Sequence, residues 1–232
     1  MPTLNLFGGE KGGTGKSMTA RAAVAYHLDR GLPFSLFDTD RSNPDVRRIY
    51  GPSAGCRVAV FSEGERYEDT ANAIFNAALE QRVLVNLPAQ SFIPIRDWIE
   101  KNELMSLAQE NDVQFVHWFV SDCGYDSLSL LGKTLSYFKT SAIHVLVKNL
   151  GKTDDWEPLD QDEQLQGMIS DYGVKVIELP KFIGNSDRNL INRKSLTFAQ
   201  AREYEEFGPI SRQRVKTFLR DAYAAFDEAG VF

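Results

Sequence analysis

Two lysines set among glycines lie near the start of the chain, in Gly8-Gly9-Glu10-Lys11-Gly12-Gly13-Thr14-Gly15-Lys16-Ser17. A loop that wraps a polyphosphate needs glycines so that successive backbone N–H groups turn inward without Cβ clashes, and Gly12, Gly13 and Gly15 meet that need. Lys16 would reach the β/γ-phosphates, and the Ser17 hydroxyl would face Mg²⁺. The common spacing G-x-x-x-x-G-K-[ST] asks for glycine where this chain has Glu10. What it carries in addition is Lys11, more positive charge than one such loop usually holds. A Gly-rich turn with incidental lysines is the plain alternative, and the flanking elements argue against it.

Those elements are a strand before the loop and a helix after it. Thr3-Leu4-Asn5-Leu6-Phe7 is an apolar run, and Ser17–Leu28 is rich in helix formers, so the anion would rest on a helix N-terminus. Further apolar runs at Phe34–Phe37, Val58–Phe61, Arg82–Asn86, Gln114–Val120, Ala142–Val147 and Val174–Leu179 predict strands. Helical patterns occupy Ser17–Arg30, Tyr67–Glu80, Ile95–Asn111, Ser127–Phe138, Asp160–Tyr172, Phe198–Tyr204 and Ile210–Ala229, while Gly151–Pro158 is the most loop-like interior stretch. The alternation predicts an α/β fold, a mostly parallel sheet with helices on both faces, whose ligands bind outside the carboxyl ends of the strands. With 232 residues, 43% of them hydrophobic and 25% charged, one domain spanning residues 1–232 is expected. No apolar run approaches the roughly 20 residues that span a bilayer, and no charged-then-apolar leader precedes the first strand. The expectation is a cytoplasmic protein without a stable membrane anchor. Cys56 and Cys123 fit neither a disulfide framework nor a metal pair and read as buried thiols.

Other strand ends carry polar side chains. Ser35-Leu36-Phe37-Asp38-Thr39-Asp40 finishes with two carboxylates one residue apart, which would face opposite sides of a continuing strand, so the chain is expected to turn there. A plain turn rich in Asp, Ser, Asn and Pro is the alternative. Arg82-Val83-Leu84-Val85-Asn86-Leu87-Pro88 ends on an amide, and Ala142–Asn149 ends on Lys148-Asn149. His117 alternates within its strand and reads as a core residue; Asp122 reads as the cap of the helix that follows.

The run Lys11–Ser17, K-G-G-T-G-K-S, resembles the deviant Walker A box of the ParA/MinD family of P-loop ATPases. The resemblance implies a P-loop NTPase fold that binds ATP and Mg²⁺, with Gly12, Gly13, Thr14, Gly15, Lys16, Ser17 and Met18 around the nucleotide. It implies that Lys11 is the signature lysine, which crosses a dimer interface to the partner's nucleotide. Lys11, Lys16 and Asp40 would be the catalytic residues, Asp40 near the attacking water and Asp38 near the Mg²⁺ shell. Asn149 would contact the adenine, and the loop at Pro180 would line the base through its backbone. Where the family has an acid that holds a water on Mg²⁺, this chain has Asn86, which keeps hydrogen-bonding capacity and loses the charge. The metal group is then Ser17, Asp38 and Asn86, and hydrolysis is expected to be slow. The family logic further implies a homodimer with ATP and an activating adaptor protein.

Formal net charge is −6, unevenly spread. From Lys181 to Arg220, nine basic and four acidic residues leave +5, so the rest of the chain holds −11. Arg188, Arg193, Lys194, Arg212, Arg214 and Lys216 could meet DNA phosphates without any base-reading motif. The expected function is therefore a ParA-type switch that positions or partitions DNA, as in plasmid partition or mobilisation. One alternative is a MinD-like membrane-positioning ATPase using the amphipathic tail Phe218–Glu228, although Asp221, Asp227 and Glu228 suit an anionic bilayer badly. Another is an amidotransferase-type ATP-dependent synthetase, for whose substrate domain the chain has little room.

Overall fold

In the computed structural model, which describes residues 2–61 and 65–232, every one of the apolar runs contributes to a strand. The strands are β1 (Thr3–Gly8), β2 (Ser35–Asp38), β3 (Arg57–Val58), β4 (Val83–Asn86), β5 (Gln114–Ser121), β6 (Ile143–Asn149) and β7 (Lys175–Leu179). They form one sheet in the order β3-β2-β4-β1-β5-β6-β7, with every neighbouring pair parallel. Among the described residues the helices are α1 (Lys16–Asp29), α2 (Asp45–Ala54), α3 (Glu65–Ala78), α4 (Phe92–Lys101), α5 (Leu104–Glu110), α6 (Tyr125–Phe138), α7 (Glu157–Asp160), α8 (Glu163–Asp171), α9 (Asn185–Lys194), α10 (Phe198–Glu203) and α11 (Pro209–Ala229).

Helices cover both faces, which is why β1 and β4 are buried from end to end. On one face α1, α2 and α9–α11 pack Val24, Ile49, Phe198 and Phe226 over Trp118 and Val145. On the other, α3–α5 bring Ile74, Trp98 and Ala108 onto Leu4, Leu6 and Val85, and α6–α8 continue that face over Phe119 and Leu146. Asn5 is fully buried in β1 yet satisfied: Nδ2 donates to Thr3 Oγ1 (2.9 Å) and Oδ1 accepts from Trp118 Nε1 (3.0 Å). The register then sets the site. Phe7 lies beside Asn86, Asn86 beside Asp38 and Gly8 beside Phe119, so four strands finish along one edge.

The structure departs from the sequence pattern in several places. The helix expected at Ile95–Asn111 is two, because the chain turns through Asn102 and Glu103, the latter at φ 50°. Asp162 likewise interrupts Asp160–Tyr172, its carboxylate accepting from Leu165 N (3.0 Å) to start α8. Helices α2 and α9 have no counterpart in the apolar pattern: α2 contains Gly51 and Pro52, and α9 is mostly polar. Cys123 is buried as expected, whereas Cys56, just past the left-handed Gly55 that ends α2, is only half-buried. The tail weighed as membrane-facing buries Phe218, Leu219, Ala222 and Phe226 in the core, so its apolar side is already occupied. Among the described residues no helix is long and apolar enough to cross a membrane.

All three histidines are buried, and burial lowers the pKa of each. His27 Nδ1 donates to Ala23 O (2.7 Å), leaving Nε2 to accept from Arg82 Nη1 (3.3 Å), and burial pushes its pKa down to about 4. His117 is a core residue, as its alternation in the strand suggested, and burial pushes it down to about 3. Both take up protons near pH 6.5 when unfolded, so their contribution is present above that pH and is lost as the pH falls toward the folded values. Between pH 7 and pH 5 the unfolding free energy should drop by about 4 kcal/mol from these two groups, about 2 from each, read from urea midpoints. His117→Gln should remove roughly half of that drop; an unchanged pH dependence would contradict the assignment.

Candidate functional site

β1 delivers the chain to the carboxyl edge of the sheet, and Gly9–Gly15 fold over that edge into α1. At Gly9 (φ 140°) a Cβ would lie 2.5 Å from Val120 O, and at Gly15 (φ 111°) 2.1 Å from Asn149 Nδ2. Neither position admits a side chain without moving its neighbours. Lys16 closes the loop, its Nζ donating to Lys11 O (2.8 Å). Burial lowers its pKa, opposed by the nearby charges of Glu10 and Asp40. Asn149, at the end of β6, reaches under the loop: Nδ2 donates to Thr14 O (2.6 Å) and Oδ1 accepts from Gly151 N (3.0 Å). The amide expected against adenine thus holds the loop through Nδ2 and the turn after β6 through Oδ1, and it lines the cleft.

Glu10, where the common motif has glycine, has a role of its own. Its carboxylate accepts from Ser91 Oγ (3.3 Å) and from the backbone N–H groups of Phe92 and Ser91 at the start of α4, while Gln90 N donates to Glu10 O (3.0 Å). A carboxylate at a helix N-terminus answers unsatisfied N–H groups, and here it also ties the loop after β1 to the loop after β4. Burial holds its pKa above the usual carboxylate value despite these donors.

Asp38 is 2% exposed, and its oxygens accept from Asn86 Nδ2 (2.9 Å), Asp40 N (3.2 Å) and Arg47 N (2.9 Å). Burial still raises its pKa. Asp40 stands half-exposed at the cleft, its Oδ1 accepting from Ser42 N and Asn43 N (3.0 Å each). Among the described residues no group of three or more His, Cys, Asp or Glu could hold a metal ion by itself. The oxygen donors of Ser17 and Asp40, which line the cleft, suit a Mg²⁺ that arrives with a phosphate, whereas Asn86 Oδ1, an acceptor without a partner, is fully buried outside it. Asp122 does not cap α6, whose N-cap is Gly124. It lies two residues too early, and it pairs with Lys11 (Nζ to Oδ2, 3.0 Å) while accepting from Gly124 N.

The cleft over the loop measures about 380 Å³. Gly12, Gly13, Gly15, Lys16, Ser17 and Met18 line it, together with Asn149, Pro180, Phe182 and Phe218. Lys11, Thr14, Asp38 and Asn86 do not line it; Thr14 is fully buried beneath the loop. Its wall holds residues that no motif announces, Arg21, Lys152, Arg188 and Asn192. Only Lys152 follows a strand end, that of β6; Arg21 lies inside α1, and Arg188 and Asn192 inside α9. The cationic lining suits a phosphorylated molecule. Of the six basic residues expected to face DNA, Arg214 pairs with Asp187 (2.9 Å), Lys194 with Glu206 (3.4 Å), and Arg212 donates to Tyr204 O. Arg193 and Lys216 face solvent, and Arg188 turns into the cleft wall.

No protein-family model matches the chain. It is similar to Protein MobD of Acidithiobacillus ferrooxidans, 27% identical over 200 residues that cover 85% of this chain and 86% of that protein. It is also similar to a Protein TraL of Escherichia coli, 26% identical with 95% of both chains covered. Among solved structures it resembles a nucleotide-binding protein in complex with ADP from Archaeoglobus fulgidus (TM-score 0.53, 14% identity, 84% of this chain and 87% of that one). It also resembles the MinD cell division protein of Aquifex aeolicus (TM-score 0.51, 13% identity, 95% and 96%).

The Asp38–Asn86 contact has a direct consequence. In Asn86→Asp two buried carboxylates would share one hydrogen-bond distance, so one must stay protonated. The variant should lose about 3 kcal/mol of stability at pH 8 and less at pH 5, since a raised carboxyl pKa costs stability as pH rises. Thermal unfolding without Mg²⁺ at the two pH values checks this; a loss independent of pH would contradict it.

Proposed function

Because the chain has the ParA/MinD-like P-loop fold, we propose that it binds ATP with Mg²⁺ and works as a slow, dimerising ATPase switch. The observation that carries this reading is the separation of its two lysines. Lys16 lies inside the cleft it closes, whereas Lys11 leaves that cleft and pairs with Asp122 at the part-exposed rim. A lysine aimed away from its own cleft is placed to serve another one. Gly12–Ser17 would hold the phosphates through backbone N–H groups and Lys16, with Ser17 and Asp40 toward the metal, which would draw charge from the transferring phosphoryl group. Asp38 would keep Asp40 in place through the Asp40 N–H. With Asn86 beside it rather than a second acid, the site lacks one negative charge, which supports a slow turnover rather than a fast one.

The switch would act on DNA, holding it when ATP closes the dimer and releasing it after hydrolysis, with an adaptor protein setting the rate. The solvent-facing Arg193 and Lys216, on α9 and α11, support sequence-independent phosphate contact. The use would be plasmid partition or mobilisation.

Lys11→Ala should bind ATP within about threefold of wild type yet lose hydrolysis by at least about 10³-fold, the scale of a cation supplied in trans. Isothermal titration together with phosphate release measures both, and unchanged turnover would sink the in-trans role. For DNA, gel shifts of a random duplex should appear with ATP and not ADP and should weaken as salt rises. Arg193→Glu with Lys216→Glu should flatten the log–log salt slope by about 2. Equal shifts with ATP and ADP would contradict the nucleotide-gated contact.

A further inference from the structure

One side chain of the cleft wall is a buried cation without a counter-charge. Arg21, on α1, is 3% exposed, its guanidinium 5.2 Å from the centroid of the Phe198 ring. Nη1 donates to Asn192 Oδ1 (2.7 Å), while Nε and Nη2 are buried with no hydrogen-bond partner. No carboxylate among the described residues forms an ion pair with it. Asp45, the acid whose charge bears on it, is engaged with Arg48 and with Asn43 Nδ2. A guanidinium out of water with unanswered N–H groups is costly, and a protein that keeps one beside a cleft gains when an anion arrives there.

Its place indicates which anion. Arg21 sits one helical turn beyond Ser17, on the same side of α1, and three residues beyond Met18. In the function proposed above, the loop at Gly12–Ser17 would take the terminal phosphates of a nucleotide, and Pro180 and Phe182, which line the same cleft, would meet its ring. Arg21 and Asn192 line the same cleft, and Arg21, one turn farther along α1 than Ser17, stands beyond the residues that would hold the terminal phosphates, on the side where the phosphate next to the sugar would lie. Resting on the nucleotide reading above, we propose that Arg21 is a further nucleotide-reading residue, whose Nε and Nη2 donate to an anionic oxygen of the phosphate nearest the sugar. A charged, forked donor selects phosphate over a sugar hydroxyl, and its gain is largest where water is excluded. The contact also links the nucleotide to α9 through Asn192, and α9 carries Arg193.

Arg21→Met keeps the length and the packing on Phe198 and removes both charge and donors. ADP affinity should fall by about 10- to 100-fold, the range of a hydrogen bond to a charged group, while adenosine affinity stays within about twofold. The ligand-free variant should melt no lower than wild type, because the cation it removes has unanswered N–H groups. Arg21→Lys, which keeps the charge at this place, should bind ADP within about tenfold of wild type. Unchanged ADP affinity in Arg21→Met, or equal losses for ADP and adenosine, would overturn the proposal. So would a ligand-free variant that melts far lower, in Arg21→Met and Arg21→Lys alike, because that is the mark of a purely structural arginine. If wild type binds ADP and Arg21→Met binds it equally, only this proposal fails; if wild type binds neither ADP nor ATP, the nucleotide reading fails with it.

Discussion

The hydrogen bond from Asn149 Nδ2 to Thr14 O decides where the loop after β1 sits relative to the sheet. It joins the end of β6 to the loop through the one point, Gly15, where a Cβ would collide with it. Everything else in the site follows from a loop held in that place. Lys16 can turn back on Lys11 O, α1 can start with its N–H groups facing the cleft, and Pro180 and Phe182 line that same cleft. Glu10 supplies the second tether, to the start of α4. A chain with glycine at that position would lack it, so the departure from the common spacing is part of how this loop is fixed.

Charge around the cleft is arranged in one direction. Lys16 and Arg21 are buried cations whose partners are neutral oxygens, while Asp38 keeps its carboxylate among donors that include a neutral amide, Asn86. Burial opposes the charged form of all three groups. In the proposed function, an arriving polyphosphate would answer the two cations. Lys11 stands apart from this balance, in an ion pair at the rim that a partly exposed setting makes weak and therefore easy to exchange.

Much of this was legible in the residues. The apolar runs located the central strands β1, β4, β5 and β6 because both faces of the sheet are covered there, and strands of that kind read as continuous hydrophobic stretches, whereas the exposed edge strand β3 meets its run only at Val58. The loop motif and the polar strand ends located the cleft, since a parallel sheet collects them at one edge. What stayed hidden depended on contacts between distant segments. Helix α9 shows few apolar residues because much of its hold on the fold is polar, through Asn192 and Asp187. Asp122 looked like a cap because its partnership with Lys11 spans more than a hundred residues of chain. Arg21 looked like an ordinary helix residue, and only the packing of α9 and α10 over it makes it a buried cation.

The central claim is that ATP, and not ADP, brings two copies together so that Lys11 of each can leave Asp122 for the other's nucleotide. Light scattering after size exclusion, with Mg²⁺ and either ATP or ADP, tests it most directly. The account predicts one chain of 26.1 kDa without nucleotide and with ADP, and about twice that mass with ATP. A mass that is the same in all three conditions would contradict it.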